Sequence, residues 1–191
     1  MTSYPELYIL RHGETEWNAE GRMQGALNSP LTLLGQQQAA RQGEILQVVD
    51  LSGFDILTSP QGRAFETAAI ALSRQVAQLH TDARLREIGL GDWAGRIRSE
   101  LGEGSDFPEG PDGALELYER APNGEGFAAL EVRCAEFLAS LKRPAVLVTH
   151  GITSRMIRAI ATGTGRSNLA NMGGGQGVVF HLKKAVQKRL E

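Results

Sequence analysis

Two apolar runs of the same form, Leu7-Tyr8-Ile9-Leu10 and Ala145-Val146-Leu147-Val148, run into His-Gly pairs at His12-Gly13 and His150-Gly151. Short continuous runs without alternation predict strands covered on both faces. Ile56 to Thr58, Leu79 to Thr81 and Val178 to Leu182 predict further strands, the last behind the glycine run Gly173 to Gly177. Between them, Leu33, Leu34, Ala39, Ala40, Ile45, Leu46 and Val49 recur at roughly helical spacing behind Thr32, an N-cap residue, and the helix stops near residues 50–53. Ser59-Pro60 has the form of an N-cap followed by a first-turn proline, which predicts a helix over residues 63–77 with Arg63 in its first turn. Residues 127–141 and 152–161 predict two more helices. Strands alternating with helices imply a layered α/β fold with a largely parallel sheet.

The remaining stretches read as loops. Residues 14–30 are polar and punctuated by glycine, long for a connection and therefore a candidate functional loop. Residues 84–93 are too glycine-interrupted for a regular element and predict a pocket-lining loop. Residues 101–126 carry Glu103, Asp106, Glu109, Asp112, Glu116 and Glu119 against Arg120 alone, an irregular acidic insertion by composition. Lys183, Lys184, Lys188 and Arg189 read as a solvated tail.

Composition narrows the function classes. The 191 residues, 41% hydrophobic, fit one domain over 1–191. A net charge of −2 offers no general attraction to nucleic acid or to an anionic membrane, so neither is expected as a partner and any anion site must be built locally. No run approaches the roughly 18 apolar residues of a membrane span, and the first ten residues lack the pattern of a signal peptide, so the expected location is cytoplasmic. Cys134 has no cysteine partner and falls in an apolar-periodic stretch, as a buried helical thiol does. No HExxH, HxH or paired CxxC occurs, so no metal or other cofactor is expected, and Gly163-Thr164-Gly165-Arg166-Ser167 lacks the lysine and spacing of a phosphate loop.

The chemistry concentrates in Arg11, His12, Arg63 and His150. Taken singly, each arginine reads as a surface ion-pair partner and each histidine as a satisfied sheet-edge residue. The repeated strand-His-Gly arrangement points elsewhere, because ligands of open α/β sheets bind at the carboxyl ends of the strands. Two guanidinium forks and two imidazoles aimed at one point suit a phosphate dianion. His80 and His181 have no such context and read as structural.

At these residues the chain resembles the histidine phosphatase superfamily, in its phosphoglycerate-mutase-like branch. The resemblance is carried by Arg11-His12-Gly13-Glu14-Thr15 with Trp17-Asn18, and by Gly21-Arg22-Met23-Gln24-Gly25. It continues through Pro30 to Gly35, Ser59-Pro60-Gln61-Gly62-Arg63-Ala64 with Glu66-Thr67-Ala68, and Leu85-Arg86-Glu87-Ile88 with Gly91 to Gly95. Pro122-Asn123-Gly124-Glu125 and Val148-Thr149-His150-Gly151 complete the order. The ordered set is far more specific than any one triplet.

This resemblance implies a three-layer sandwich, with a largely parallel central sheet between helices, and metal-independent hydrolysis of a phosphomonoester through a covalent phosphohistidine. His12 would be the nucleophile, neutral and held in one tautomer by a backbone acceptor, and Arg11, Arg63 and His150 would bind the phosphoryl oxygens. Glu87 would protonate the leaving alkoxide and then deprotonate water. Asn18, Gln24, Gly25, Thr15 and Gly151 form the implied substrate-binding set, and the implied partner is a small phosphorylated metabolite. Dedicated mutases of the branch are longer over the site; here only residues 101–126 are available, and their acidity would repel a bisphosphate if it faced the pocket. A phosphatase is therefore expected over a phosphoglycerate mutase, and a non-catalytic phosphate-ester sensor is the reading from another class. Ala94 stands where phosphatase-like relatives often have an acidic residue, so no substrate contact is assigned to that turn.

Overall fold

The computed structural model describes residues 4–102 and 111–191. In chain order the elements are β1 (Leu7–Arg11), α1 (Glu16–Ala19), α2 (Leu33–Leu46), β2 (Asp55–Thr58), α3 (Gly62–Leu72), β3 (His80–Thr81), α4 (Arg98–Gly102) and α5 (Pro111–Glu119). They continue with α6 (Gly126–Ser140), β4 (Ala145–Thr149), α7 (Gly151–Ala161), β5 (Val179–Lys183) and β6 (Val186–Leu190). Short 3-10 turns at Ala83–Leu85 and Gly91–Trp93 break up the loop between β3 and α4.

Among the described residues the strands form one sheet in the order β3-β2-β4-β1-β5-β6. β1 and β2 both pair parallel to β4, and β3 pairs parallel to β2. β5 runs antiparallel to β1, and β6 closes the edge as the second arm of a hairpin with β5. The sheet is thus largely parallel, as expected, with an antiparallel margin.

The two-residue period of β1 explains the layers. Leu7 and Ile9 join Ala145 and Leu147 on one face, where Leu130, Cys134 and Phe137 of α6 and Met156 and Ile157 of α7 cover them. Tyr8 and Leu10 join Val146 and Val148 on the other, under Leu46 of α2 and Ala64, Ala68 and Leu72 of α3. Every residue of β4 is buried, which is why its sequence is a continuous apolar run. Cys134 is fully buried, and burial pushes its thiol up to about 12, so it behaves as a small hydrophobe.

Several expectations are corrected. Leu33 and Leu34 are exposed; the buried stripe of α2 is Gly35, Ala39, Gln42, Gly43 and Leu46. Small residues serve there because α2 must approach other backbone closely: a Cβ on Gly35 would lie 2.0 Å from the Glu14 carbonyl oxygen, and one on Gly13 would lie 2.1 Å from that of Gly35. Thr32 caps α2 as expected, accepting from the Gly35 amide. Ser59 does not cap α3, which begins at Gly62 behind Gln61 and ends at Leu72, though Arg63 does fall in its first turn. The basic residues do not form a tail: Lys183 ends β5, Lys188 and Arg189 lie in β6, and the two-residue turn between them holds Lys184 and Ala185 at φ values of 50° and 61°. Neither residue favours that conformation, so the turn left no sequence signal. The acidic stretch is not irregular where it is described: it holds the end of α4 and all of α5, while residues 103–110 lie outside the described residues. No helix among the described residues is long and apolar enough to cross a membrane.

Candidate active site

The carboxyl ends of β1, β4 and β2 deliver His12, His150 and Ser59 to one edge of the sheet. The His12 amide donates to the Thr149 carbonyl (3.0 Å), extending the β1/β4 ladder by one bond and fixing where the imidazole begins. Nδ1 of His12 lies 2.7 Å from the Gly13 carbonyl oxygen. A carbonyl only accepts, so Nδ1 carries the hydrogen and Nε2 the lone pair. Nε–H of Arg63 donates to that Nε2 at 3.3 Å. Burial first, then the charges of Arg11 and Arg63, hold the imidazole well below its usual 6.5 against the opposing pull of Gly13. His12 is a neutral base with a directed lone pair.

The donor groups around it differ in how firmly they are held. Arg63 is buried and anchored to the carbonyls of Leu27 (2.7 Å) and Gly25 (3.0 Å); burial lowers its pKa to about 10. Arg11 has Nε buried without a partner. His150 is fully buried, its ring centroid 5.1 Å from that of His12, with Nε2 2.8 Å from Ser59 Oγ and Nδ1 without a partner. Burial, then Arg63, His12 and Arg11, also hold it well below 6.5. Four buried side-chain polar atoms lack partners among the described residues, and three belong to Arg11, His150 and Gln24. Orphans of this kind are rare in a folded interior, and their clustering marks a place built for a polar guest.

Glu87 reaches the same edge from the loop after β3. Its carboxylate takes the place of a side-chain cap on α7: Oε2 accepts from the Ile152 amide (3.2 Å) and Oε1 from the amide (3.0 Å) and hydroxyl (3.1 Å) of Thr153. Oε1 also accepts from the Ile88 amide, which leaves Oε2 the less engaged oxygen.

The long first loop is folded onto this edge by its own polar contacts. Thr15 caps α1 and forms a capping box with Asn18, and its hydroxyl also accepts from Gln24 Nε2 at 2.7 Å. Thr15 is fully buried and stands behind the cleft rather than in its wall. Asn18 Oδ1 accepts from the Thr15 amide and from Gln176 Nε2, so its NH2 end is free to donate. Gln24 leaves Oε1 orphaned, but with the amide turned, the Thr15 hydroxyl donates to Oε1 and the NH2 group becomes available. Glu14 and Trp17 are structural: Glu14 accepts from the Thr32 hydroxyl, and the Trp17 amide donates to Ser29 Oγ.

An inner cleft of about 60 Å³ is lined by Arg11, His12, Asn18, Gln24, Gly25, Arg63 and Glu87 among others. An outer cavity of about 190 Å³ adjoins it through shared Arg11, Glu87, Arg98 and Tyr118, and adds Leu115, Gly151, Ile152 and Arg155. Among the described residues the outer cavity is faced by the cations Arg11, Arg98 and Arg155 together with Glu87, while Glu103, Asp106 and Glu109 of the acidic stretch lie outside the described residues. The described part of the acidic stretch contributes Leu115 and Tyr118, while Glu116 pairs with Arg120 and Glu119 accepts from the Phe127 amide.

Sequence reasoning missed the groups that hold the catalytic candidates. Gln61 joins two loops, its Nε2 donating to the Gly25 carbonyl and its Oε1 accepting from the Glu87 amide. Arg133 donates to the carbonyls of Arg84 and Arg86 and forms a two-pronged pair with Glu125, which accepts from the Gly89 amide. This buried clamp grips the chain on both sides of Glu87. Gln176 donates to the His12 carbonyl, whereas Asn171 donates to Asn168 Oδ1 nearby. The Pro-Asn-Gly-Glu match was the one available signal for Glu125; a buried arginine in a helix carries none.

The profile of the histidine phosphatase superfamily (branch 1) matches residues 7–185. The chain belongs to this superfamily. As a histidine phosphatase superfamily enzyme it is similar to proteins of differing description. A Klebsiella pneumoniae (strain 342) protein named "Probable phosphoglycerate mutase GpmB" is 39% identical over 161 residues, covering 77% of this chain and 70% of that one. Among solved structures, a mycobacterial glucosyl-3-phosphoglycerate phosphatase in complex with VO3 superimposes with a TM-score of 0.76 at 31% identity, over 94% of this chain and 92% of that one. The alpha-ribazole phosphatase from Shigella flexneri gives 0.79 at 27% identity, over 97% and 94%.

Proposed function

We propose that this histidine phosphatase superfamily member hydrolyses phosphomonoesters through a phosphohistidine at His12. The observation that carries this reading is the state of His12: a buried neutral imidazole whose Nδ1–H is tied to a carbonyl, with the lone pair on Nε2 set among two guanidinium groups. In the first step Nε2 attacks phosphorus, the bond from phosphorus to the ester oxygen breaks, and Glu87 gives that oxygen a proton. In the second, Glu87 takes a proton from water, the hydroxide oxygen bonds to phosphorus, and the N–P bond breaks to return neutral His12. Arg11, Arg63 and His150 bind the three non-bridging oxygens, where charge builds in the transition state. Asn18 and Gln24 supply neutral donors beside them. Thr15 acts on the phosphate only through these two. Gly25 contributes the carbonyl that holds Arg63, and Gly151 the start of the helix that holds Glu87.

The alcohol part of the ester occupies the outer cavity. That space is below the roughly 300 Å³ at which sites for drug-sized ligands begin, so a small metabolite fits better than a nucleotide. Arg98 and Arg155 in its wall favour an alcohol that itself carries negative charge. Those cations, and the mutase name of the Klebsiella relative, also support the second reading, phosphoryl transfer by a phosphoglycerate mutase. Among the described residues neither cavity is closed off from solvent, and access of water to a phosphohistidine supports hydrolysis. The test is turnover of para-nitrophenyl phosphate with chelator present, with trapping of an acid-labile, base-stable phosphoenzyme. His12→Ala is expected to lose both. Undiminished turnover in that variant removes the proposed nucleophile, and phosphoglycerate isomerisation as fast as phosphate release favours the mutase.

A further inference from the structure

Ser59, which the sequence suggests as a helix cap, has a different use. It is fully buried at the end of β2, and its Oγ accepts from the Gln61 amide at 3.2 Å and lies 2.8 Å from His150 Nε2. A serine hydroxyl has one hydrogen to give. Gln61 N–H is itself a donor, so the acceptor left for that hydrogen is Nε2 of His150. With Nε2 accepting, a neutral imidazole must carry its hydrogen on Nδ1, and Nδ1 is the ring atom that has no partner among the described residues. The opposite tautomer would turn a lone pair toward phosphoryl oxygens and repel them.

We infer that Ser59 is a positioning residue that holds His150 as an Nδ1–H donor to a phosphoryl oxygen. The inference rests on the proposed function for the identity of the anion, but not for its test. Both histidines of the site then carry hydrogen on Nδ1 and use opposite ends of the ring. His12 spends Nδ1–H on the Gly13 carbonyl and offers the Nε2 lone pair to phosphorus. His150 fills Nε2 with the Ser59 hydrogen and offers Nδ1–H to oxygen. Other buried hydroxyls near these groups are already committed: Thr67 donates to the Arg63 carbonyl and accepts from the Gly13 amide, and Thr149 donates to the Leu85 carbonyl.

The experiment is nitrogen-15 NMR of the histidine rings in the free wild-type protein, together with calorimetric titration of inorganic phosphate into wild type, Ser59→Ala and Ser59→Thr. The expected wild-type spectrum shows His150 as a single Nδ1–H tautomer. Ser59→Ala is expected to give a mixture of tautomers and to weaken phosphate binding by about tenfold, the effect of one lost hydrogen bond to a charged group, while Ser59→Thr restores both. An Nε2–H tautomer in the wild type overturns the inference, and that reading stands even if Ser59→Ala fails to fold. So does a folded Ser59→Ala protein with unchanged tautomer and phosphate affinity. Neither measurement needs turnover, so an absence of phosphatase activity would sink the proposed reaction and leave this assignment to be judged separately.

Discussion

His12 and His150 stand at the tips of adjacent parallel strands, each followed by glycine, each buried and each held neutral. What separates them is the partner on one ring nitrogen: a carbonyl, which only accepts, for His12, and a serine hydroxyl with a hydrogen to give for His150. Equal strand placement therefore yields opposite polarity, a lone pair from one ring and an N–H from the other. The comparison predicts unequal losses on truncation. His12→Ala should lower kcat by about 10⁴-fold or more, as expected when a nucleophile is removed, whereas His150→Ala should lower it by about 10²- to 10³-fold, as expected for one donor to transition-state charge. Equal losses in steady-state assays would show that the two rings act as one unit and break the distinction.

The motif residues Arg11, His12, Arg63, Glu87 and His150 were legible in the sequence because they lie in short ordered matches and because strand ends are where such fold classes bind ligands. So was a largely parallel sheet alternating with helices, whereas the strand order and the antiparallel run of β5 and β6 were not. The corrections share a physical origin: they depend on contacts between segments far apart in the chain. Leu33 and Leu34 continue a helical period yet point to solvent, because the close approach of α2 to the turn at Gly13 is made by Gly35. Ser59 has the local form of a cap, but besides the Gln61 amide its hydroxyl meets His150, 91 positions away in the chain. Arg98 and Arg155 face the outer cavity although the segment beside it is acidic, because the described glutamates are taken up by Arg120 and by the start of α6.

The Arg133–Glu125 clamp offers a second way to sharpen the comparison, since it acts on Glu87 and touches neither histidine directly. Burial raises the Glu125 carboxyl, but the Arg133 hydrogen bonds and the Gly89 amide outweigh it and leave the pKa lowered. Removing one member of a buried pair strands the other, so Arg133→Met should destabilise the fold by about 3 kcal/mol in urea denaturation. It should also release the chain around Glu87. Esters with poor leaving groups should then lose about tenfold more kcat than para-nitrophenyl phosphate, because an acidic leaving oxygen needs less help from a general acid. Glu87→Gln should reproduce this split without the loss of stability. Equal losses on both ester types in Glu87→Gln would argue against the acid role.

The smallest effect is a pH dependence of stability carried by the two rings together. Each folded-state pKa lies well below 6.5, mainly through burial, so the unfolded chain binds more protons than the folded one once pH drops below that value. Their contribution is therefore complete above about pH 6.5 and is lost as pH falls toward the folded-state values, which is the sign for a depressed pKa. At pH 5.5, below the unfolded value, each ring should have given up on the order of 1 kcal/mol. Urea midpoints measured between pH 7.5 and 5.5 should fall accordingly, and His150→Asn should remove about half of the slope while keeping a donor of similar reach. A slope unchanged by that substitution would place the proton uptake on other groups, and with it would go the claim that both rings are held neutral by the same burial.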